Sequence, residues 1–285
     1  MDNHRAVFRL DTMCRVLDVS RSGYYYWRSH QSSSYRQRNA GLVQEIRDIH
    51  QESRKIYGSP RITRELRTRG FVCNKKRVAS LMQLHDIRAK TKKRFKVTTN
   101  STKTKNASPN LVKQQFDAER PNQLWTSDIT FIWTREGWLY LAVILDVCTR
   151  RIIGYAMSHS IRAQLITHAL HSALTDRMIK PGLIFHSDRG SQYASEKVRA
   201  ILAAHKMEQS MSGTGNCYDN AITETFFHTL KTEMVYWERF ATREEARRKT
   251  FEYIEVFYNR KRLHSSIGYM TPVAFEQQVL NNNHL

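Results

Sequence analysis

The strongest constraint on the fold is a succession of short apolar segments separated by turns, which begins after residue 121. Residues 125–133, 138–146 and 151–157 each have the composition and length of a β-strand, and the second is apolar enough to be buried. The next segments are predicted as a helix, a strand, a helix and a short strand: residues 162–178, 183–187, 195–204 and 207–211. The sequence therefore predicts an α/β fold with a mixed sheet flanked by helices.

Positive charge is concentrated in the first part of the chain. Residues 1–116 contain 26 Lys and Arg but only 8 Asp and Glu, a net charge of +18 within the total of +20. Residues 117–285 contain 20 basic and 18 acidic residues and are nearly neutral. This asymmetry favours nucleic acid as the partner of the first part, with a solvated basic surface or ribosome binding as alternatives.

The sequence contains no sign of export or of a membrane partner. No apolar run approaches the roughly 20 residues of a membrane helix, and the N-terminus does not resemble a signal peptide. The four cysteines are scattered without a CxxC pair, which argues against a zinc knuckle or a disulfide framework. We expect a protein of the cytoplasm, associated with the nucleoid.

The basic first part is predicted to be all-helical and to contain two DNA-binding segments. Residues 1–30 contain a short helix, a turn and a second helix, as in a helix-turn-helix, although many helical hairpins look alike. Residues 41–89 form a second helical module. Its last helix begins with Lys75, Lys76 and Arg77, where a recognition helix would meet phosphate, or where an ordinary helix would carry a charged face.

Residues 90–116 are predicted to form a basic linker. This stretch has no acidic residue and includes Lys92, Lys93 and Arg94, followed by many Thr, Ser and Asn residues. Such a composition is typical of a flexible segment that can lie along a DNA backbone, with a nuclear-localisation patch as the formal alternative.

Three acidic residues stand where the predicted sheet would bring them together. Asp128 lies in the middle of the first strand, Asp188 follows the fourth strand, and Glu224 lies near the start of a later helix. If the first and fourth strands are neighbours, these carboxylates meet at one sheet edge, where they repel each other unless cations bind. Oxygen ligands suit Mg²⁺ or Mn²⁺, and two such ions can activate the attack of a hydroxyl on a phosphodiester.

Each acid also has an ordinary explanation when it is taken alone. Asp128 could pair with Arg150 or Arg151, Asp188 could cap a turn, and Glu224 could be a surface acid of its helix. The spacing favours a joint role, because 59 residues separate the first two acids and 35 separate the second from the third. Another acid of the same region, Asp146, is better explained as a turn cap.

The segments WTSDIT, HSDRGSQY and NAITETFFHTLKTE, with that interval of 35 residues, resemble the DD(35)E signature of the retroviral-integrase superfamily. The resemblance is closest to the OrfB-type transposases of bacterial insertion sequences. It extends over nearly the whole chain through SRSGYYYW, YGSPRITREL, EGWLYLAVILDVCTRRIIGY and YNRKRLHSSIGYMTP. It implies a ribonuclease H-like catalytic core over residues 117–240 and a helical extension over residues 241–285.

The resemblance also implies roles for particular residues. Asp128, Asp188 and Glu224 would be the catalytic acids and would hold two Mg²⁺ or Mn²⁺ ions. Lys231 lies two helical turns after Glu224 on roughly the same face, and would contact terminal DNA; a solvated helix lysine is the alternative.

Two further features of the resemblance concern DNA contacts. In the last motif, Arg260, Arg262 and His264 would support DNA or the core, with packing and salt bridging equally open. The chain departs from the family pattern at Gly213 and Thr214, where relatives often carry a basic pair. This departure weakens the expectation of strong phosphate contact by that loop.

The implied function is transposition of an insertion sequence by metal-dependent nicking at the element ends and transfer of the freed 3′-hydroxyl. The implied partners are the terminal inverted repeats, target DNA, further copies of the chain and the product of an upstream OrfA-type frame, often supplied as a frameshift fusion. A non-catalytic DNA-binding regulator and a structure-specific nuclease are the alternatives.

Overall fold

The computed structural model describes residues 1–29, 34–90, 108–113, 115–175, 177–213 and 220–282, with the side chains of residues 34–38 excluded. Lys92, Lys93, Arg94 and Thr214 therefore lie outside the described residues. The chain divides into two compact units, Met1–Ala89 and Lys90–Leu285. None of the described helices combines the length and apolar composition needed to cross a membrane.

The described regular elements of the first unit are helical, as the sequence predicts. They are α1 Leu10–Val16, α2 Arg21–Ser29, α3 Ser34–Glu52, α4 Ser59–Thr68 and α5 Lys75–Leu84. The hydroxyl of Ser20 accepts a hydrogen bond from the amide of Gly23 at the start of α2, which satisfies one of the free amides of that helix end. The apolar core of the unit is built on Ile46, Ile62 and Leu66, all fully buried.

The second unit contains a five-stranded mixed sheet. The strands are β1 Leu124–Thr134, β2 Gly137–Asp146, β3 Ile152–Ser158, β4 Ile184–Ser187 and β5 Glu208–Met211. Their order is β3-β2-β1-β4-β5; β2 pairs antiparallel with both β1 and β3, whereas β4 pairs parallel with both β1 and β5. This is the ribonuclease H-like arrangement that the resemblance implies.

Helices cover the faces of this sheet. They are α6 Ala163–Thr175, α7 Glu196–Ala204, α8 Ala221–Glu233 and α9 Arg243–Phe251. A further helix, α10 Pro272–Asn282, lies near the C-terminus. Successive side chains of a strand point to opposite faces. In β1, Trp125 enters the core formed with α6 and α7, whereas the neighbouring Thr126 accepts a hydrogen bond from Thr223 of α8 at 2.8 Å. The predicted α/β class is confirmed.

The residues predicted as a C-terminal extension are joined closely to the sheet. The side-chain amide of Asn259 accepts a hydrogen bond from the backbone N–H of Ile152 and donates one to its carbonyl, at 3.0 and 2.9 Å. The buried carboxylate of Glu276 pairs with Arg151 and Arg177. The folded core therefore includes residues well beyond the predicted boundary at 240.

The end of the predicted linker also belongs to the core. The amide of Leu111 donates to the hydroxyl of Ser210 at 2.9 Å, and the amide of Met211 donates to the carbonyl of Pro109 at 3.3 Å. The side chain of Val112 is buried. Residues 108–113 thus lie against β5, so the core begins before the predicted boundary at 117.

The crossing of α6 over β3 depends on a glycine. A β-carbon added at Gly154 would lie 2.5 Å from the carbonyl oxygen of Ala169 and 2.6 Å from the side chain of Ala173. We predict that Gly154→Ala lowers the free energy of unfolding of this unit by about 1–3 kcal/mol, because the helix must move away from the sheet. Urea denaturation monitored by circular dichroism measures the change.

The matched control is Gly41→Ala in α3, where an added β-carbon would have no neighbour within 4 Å. We expect this control to leave stability unchanged or to raise it slightly, because alanine is the better helix former. Equal stability of Gly154→Ala and the unsubstituted protein would contradict the close helix–sheet contact.

Candidate active site

Asp128 and Asp188 lie side by side because of the parallel pairing of β1 with β4. The last paired residues of these strands are Ser127 and Ser187, and each of these serines is followed directly by an aspartate, Asp128 or Asp188. Neighbouring strands are roughly 4.8 Å apart. The first and fourth strands are neighbours, which is the condition for these acids to meet, and this pairing places two carboxyl groups at one edge.

Asp128 is the electrostatic centre of this edge. Its Oδ1 accepts a hydrogen bond from the amide of Ile129 at 2.7 Å. Burial raises the pKa of Asp128 well above its usual value, and the negative charges of Asp188 and Glu224 raise it further, whereas the positive charge of Lys231 lowers it. Asp128 therefore interacts through space with both other predicted acids and with the predicted lysine.

Asp188 stands in a tight turn at the end of β4. Its Oδ1 accepts a hydrogen bond from the amide of Gly190 at 3.0 Å, so the turn-capping alternative is also satisfied. Loss of hydration raises the pKa of its carboxyl group. The next residue, Arg189, donates from Nε to the carbonyl of Ser212 at 2.6 Å, which ties this turn to the chain leaving β5.

A buried tyrosine, Tyr193, lies next to the two aspartates. The hydroxyl of Tyr193 lies 2.9 Å from that of Ser127, which in turn donates to the carbonyl of Val143 at 2.8 Å. Burial raises the pKa of Tyr193 well above its usual value, and the charges of Asp128 and Asp188 raise it further. The sequence pattern does not predict this contact, although Tyr193 stands within the HSDRGSQY motif.

Helix α8 carries Glu224 and is fastened to β1 at its first turn. Besides the bond between Thr223 and Thr126, the side-chain N–H of Asn220 donates to the carbonyl of Ser127 at 3.2 Å. Glu224 itself is exposed, and partial loss of hydration raises its pKa. The fastening directs the first turn of α8 toward the edge that carries Asp128.

The carboxyl groups do not form a finished coordination sphere. Among the residues that the structure describes, no three His, Cys, Asp or Glu side chains are grouped closely enough to hold a metal ion. The donor set is nevertheless all-oxygen and negatively charged, which is the chemistry that Mg²⁺ and Mn²⁺ prefer. Burial and the charges of Asp188 and Glu224 raise the pKa of Asp128, so a cation bound at this edge would stabilise its ionised form.

Lys231 faces the same edge. Burial lowers the pKa of the Lys231 ammonium group below its usual value, and the negative charge of Asp128 offsets part of that shift. The ammonium nitrogen lies 5.0 Å from the centre of the Phe131 ring. Lys231 thus lies on the side of α8 that the sequence predicts, toward Asp128, and its contact with DNA stays a prediction.

The arginines and the histidine of the last motif have different environments. Arg262 is buried and makes an ion pair with Glu233, with an N–O distance of 2.7 Å. His264 is also buried, and its ring packs edge-to-face on Tyr258. These contacts favour the packing alternative for both residues, whereas Arg260 is exposed and stays a candidate for DNA contact.

Two alternatives from the sequence concern Asp146 as a turn cap and Arg151 as a partner of Asp128. Asp146 is fully buried and accepts hydrogen bonds from the amides of Asn122 and Thr149, at 2.7 and 3.0 Å, as expected of a turn cap. Arg151 pairs with Glu276, so its charge is used away from Asp128.

The predicted recognition helix α5 presents two exposed lysines, Lys75 and Lys76. The side chain of Asn74 caps the helix by accepting a hydrogen bond from the amide of Arg77 at 2.8 Å. The guanidinium of Arg77 donates to the side chain of Asn39 at 2.5 Å. Arg77 thus helps to join α5 to α3, and its predicted contact with phosphate stays a prediction.

Three segments of the chain match known protein families. Residues 118–217 and 224–280 match families described as integrase core domains, and residues 36–95 match a family described as an HTH-like domain. The first match contains Asp128 and Asp188, and the second begins at Glu224. The HTH-like match contains α4 and α5 but not α1 and α2.

Curated relatives resemble the chain over almost its full length. A protein of insertion element IS600 from Shigella sonnei, described as an uncharacterized 31 kDa protein, is 44% identical over 266 residues, which are 93% of this chain and 98% of the relative. The transposase InsF for insertion sequence IS3A of Escherichia coli K12 is 42% identical over 282 residues, 98% of each chain.

Among solved structures, the HTLV-2 integrase catalytic core domain in complex with magnesium aligns with a TM-score of 0.42 and 14% sequence identity. The alignment covers 55% of this chain and 97% of that one.

The raised pKa of Asp128 predicts a pH-dependent effect on stability. Because its pKa is raised above the usual 3.8, ionisation of this carboxyl group is unfavourable in the folded state. Its contribution to stability is therefore present below pH 3.8 and is lost as the pH rises through the folded-state pKa. In EDTA, we expect Asp128→Asn to melt at a higher temperature than the unsubstituted protein at neutral pH, with the difference vanishing in acid.

Thermal denaturation over a range of pH values measures this difference. Asp117→Asn, a substitution at an exposed aspartate of the same unit, is the control and should show no such trend. A lower melting temperature for Asp128→Asn at neutral pH would contradict the electrostatic description of the site.

Two arginines of the last motif allow a structural role to be distinguished from a role in DNA contact. Arg262→Gln leaves the buried carboxylate of Glu233 without its charged partner, so we expect a loss of about 3–5 kcal/mol in the free energy of unfolding. Arg260→Gln, at the exposed position, should change stability by less than about 0.5 kcal/mol. Urea denaturation measures both, and similar stabilities of the two variants would contradict the structural role of Arg262.

Proposed function

The chain belongs to the IS3-type insertion-sequence transposases with an integrase-like core, and from this premise we propose that it nicks DNA at element ends and joins the freed 3′-hydroxyl to a target. The observation that supports this chemistry is the meeting of Asp128 and Asp188 at one edge of the sheet, with Glu224 and Lys231 within electrostatic reach. Such a group of acids suits the displacement of one phosphodiester oxygen by another.

We propose that Asp128, Asp188 and Glu224 hold two Mg²⁺ or Mn²⁺ ions. Bound ions would lower the pKa of the attacking hydroxyl and would neutralise negative charge on the phosphate. The two aspartates already lie on adjacent strand ends. Glu224, an exposed residue of the first turn of α8, must approach them for all three to share ions.

The other residues of the edge would hold this arrangement in place. The hydrogen bond between Tyr193 and Ser127 would hold the buried residues next to both aspartates in place, so that the aspartates keep their separation while DNA binds. Lys231, which Asp128 keeps more basic than burial alone would allow, would contact a phosphate of the terminal DNA. The attacking hydroxyl and the leaving oxygen would then lie in line.

DNA binding by this chain is expected from its HTH-like and integrase core domains. We propose that the second helical module binds duplex DNA through Lys75 and Lys76 of α5, which are exposed. Residues 1–30 and the basic residues Lys92, Lys93 and Arg94 would add contacts to the backbone. The proposed place of action is the nucleoid in the cytoplasm.

Further partners are part of the proposal. The chain would act as a homo-oligomer on a pair of element ends, which its chemistry must join to one target. An upstream OrfA-type product would supply recognition of the terminal inverted repeats. A non-catalytic regulator is the second candidate function, but it would have no need for three acids at an edge where they repel one another.

The proposed chemistry is tested with labelled duplexes that carry the element end, in Mg²⁺ or Mn²⁺, with and without the upstream product. We expect cleaved and joined strands from the unsubstituted chain. Asp188→Asn should lose roughly a hundredfold or more in rate, because one ligand is worth several kcal/mol of transition-state stabilisation. Asp117→Asn should retain the full rate.

Two outcomes would overturn the proposal. Equal products from Asp188→Asn and the unsubstituted chain would remove this residue from the chemistry. Binding of the element ends without any reaction, even in the presence of the upstream product, would favour the regulator.

A further inference from the structure

Three large aromatic side chains are exposed on the hairpin of β1 and β2. Phe131, Trp133 and Trp138 are 40%, 59% and 42% exposed, respectively, and we call them the aromatic patch. Trp138 packs edge-to-face against both other rings, with centroid distances of 4.9 Å to Phe131 and 4.8 Å to Trp133. The three rings thus form one surface, and not separate exposed side chains.

The aromatic patch lies on a part of β1 that extends past its parallel neighbour. β4 pairs with β1 only as far as Ser127, whereas β2 pairs with β1 as far as Thr134. The patch therefore begins three residues after Asp128, along the strand that carries the first catalytic acid. The side chains of Asp128 and Phe131 point to opposite faces of the sheet, and Lys231 is near both of them at the border of β1 that β4 leaves open.

Cations border the aromatic patch. The ammonium of Lys231 lies 5.0 Å from the centre of the Phe131 ring. The guanidinium of Arg243 donates from Nε to the carbonyl of Trp138 at 3.1 Å. Lys231 also interacts with Asp128 through space, so it links the patch to the acids.

We propose that the aromatic patch binds unpaired bases of the DNA strand that enters the active site. Base–aromatic stacking with neighbouring cations is how proteins hold single-stranded nucleic acid irrespective of sequence. Stacking here would hold frayed terminal nucleotides on the patch while the adjacent phosphodiester reaches Asp128 and Asp188. This inference rests on the proposed function, because it assumes that DNA occupies the edge.

The size of the aromatic patch favours DNA over a second copy of the chain. A fully exposed ring of this kind offers about 150–250 Å², so the observed exposures leave about 300 Å² in all. A stable protein interface needs roughly 800 Å² on each partner. The bordering lysine and arginine suit a polyanion and add nothing to an apolar contact between copies.

The test compares two fluorescent DNA duplexes of equal length, one blunt and one with a short unpaired tail, by anisotropy in EDTA. The proteins are the full chain with Phe131→Leu or Trp133→Leu, which keep an apolar side chain and remove the aromatic face. The control is Phe251→Leu, at an exposed aromatic residue of α9 outside the patch. Circular dichroism checks that each variant is folded.

We expect the unsubstituted chain to prefer the tailed duplex. Each patch variant should lose roughly five- to a hundredfold in affinity for the tail, with the affinity for blunt duplex unchanged. Because stacking releases no counterions, the salt dependence of binding should also be unchanged. Phe251→Leu should bind both duplexes as the unsubstituted chain does.

Three results would overturn the inference: an unaltered preference for the tail in both patch variants, an equal loss for both duplexes, or a loss of oligomers in light scattering without a change in tail preference. The last result would assign the patch to contact between copies. The same anisotropy measurement on Asp188→Asn separates this inference from the proposed function, because tail binding in EDTA requires no chemistry.

Discussion

The parallel pairing of β1 with β4 is the contact on which the candidate active site depends. It is short, ending at Ser127 and Ser187, and it joins segments that are 60 positions apart in the sequence. Beyond its last pair, the two aspartates are left without strand partners on that side, close together and only partly hydrated. The proximity of the two carboxyl groups and the raised pKa of Asp128 therefore have one origin, the register of two strands, and the proposed binding of a cation would depend on it as well.

Helix α8 is held at both ends by contacts of different kinds. Its first turn is fastened to β1 by the hydroxyl pair of Thr223 and Thr126, and its last residue, Glu233, is held by the buried charge of Arg262. Glu224 and Lys231 lie between these two points. The C-terminal residues thus act on the active site from a distance, by limiting how α8 can rotate or slide over the sheet.

Much of the fold was predictable from sequence, because strand and helix periodicities are local properties. The five strands and the turn role of Asp146 follow from short patterns, whereas the pairing of the first strand with the fourth joins residues 60 positions apart and does not. The role of Arg262 does not, because an arginine in a basic motif suits DNA as well as a buried acid, and its partner Glu233 is 29 positions away. The support by Tyr193 and the docking of residues 108–113 likewise depend on distant contacts that carry no local pattern.

The side-chain amide of Asn259 has a consequence for assembly. By bonding to both backbone groups of Ile152, it occupies positions on the outermost strand where the backbone of another chain would pair. At the opposite border of the sheet, Pro109 accepts the amide of Met211 and has the same effect. Open strand borders invite aggregation by pairing between molecules. Because both borders are engaged at these points, the backbone of another chain cannot pair with the sheet there.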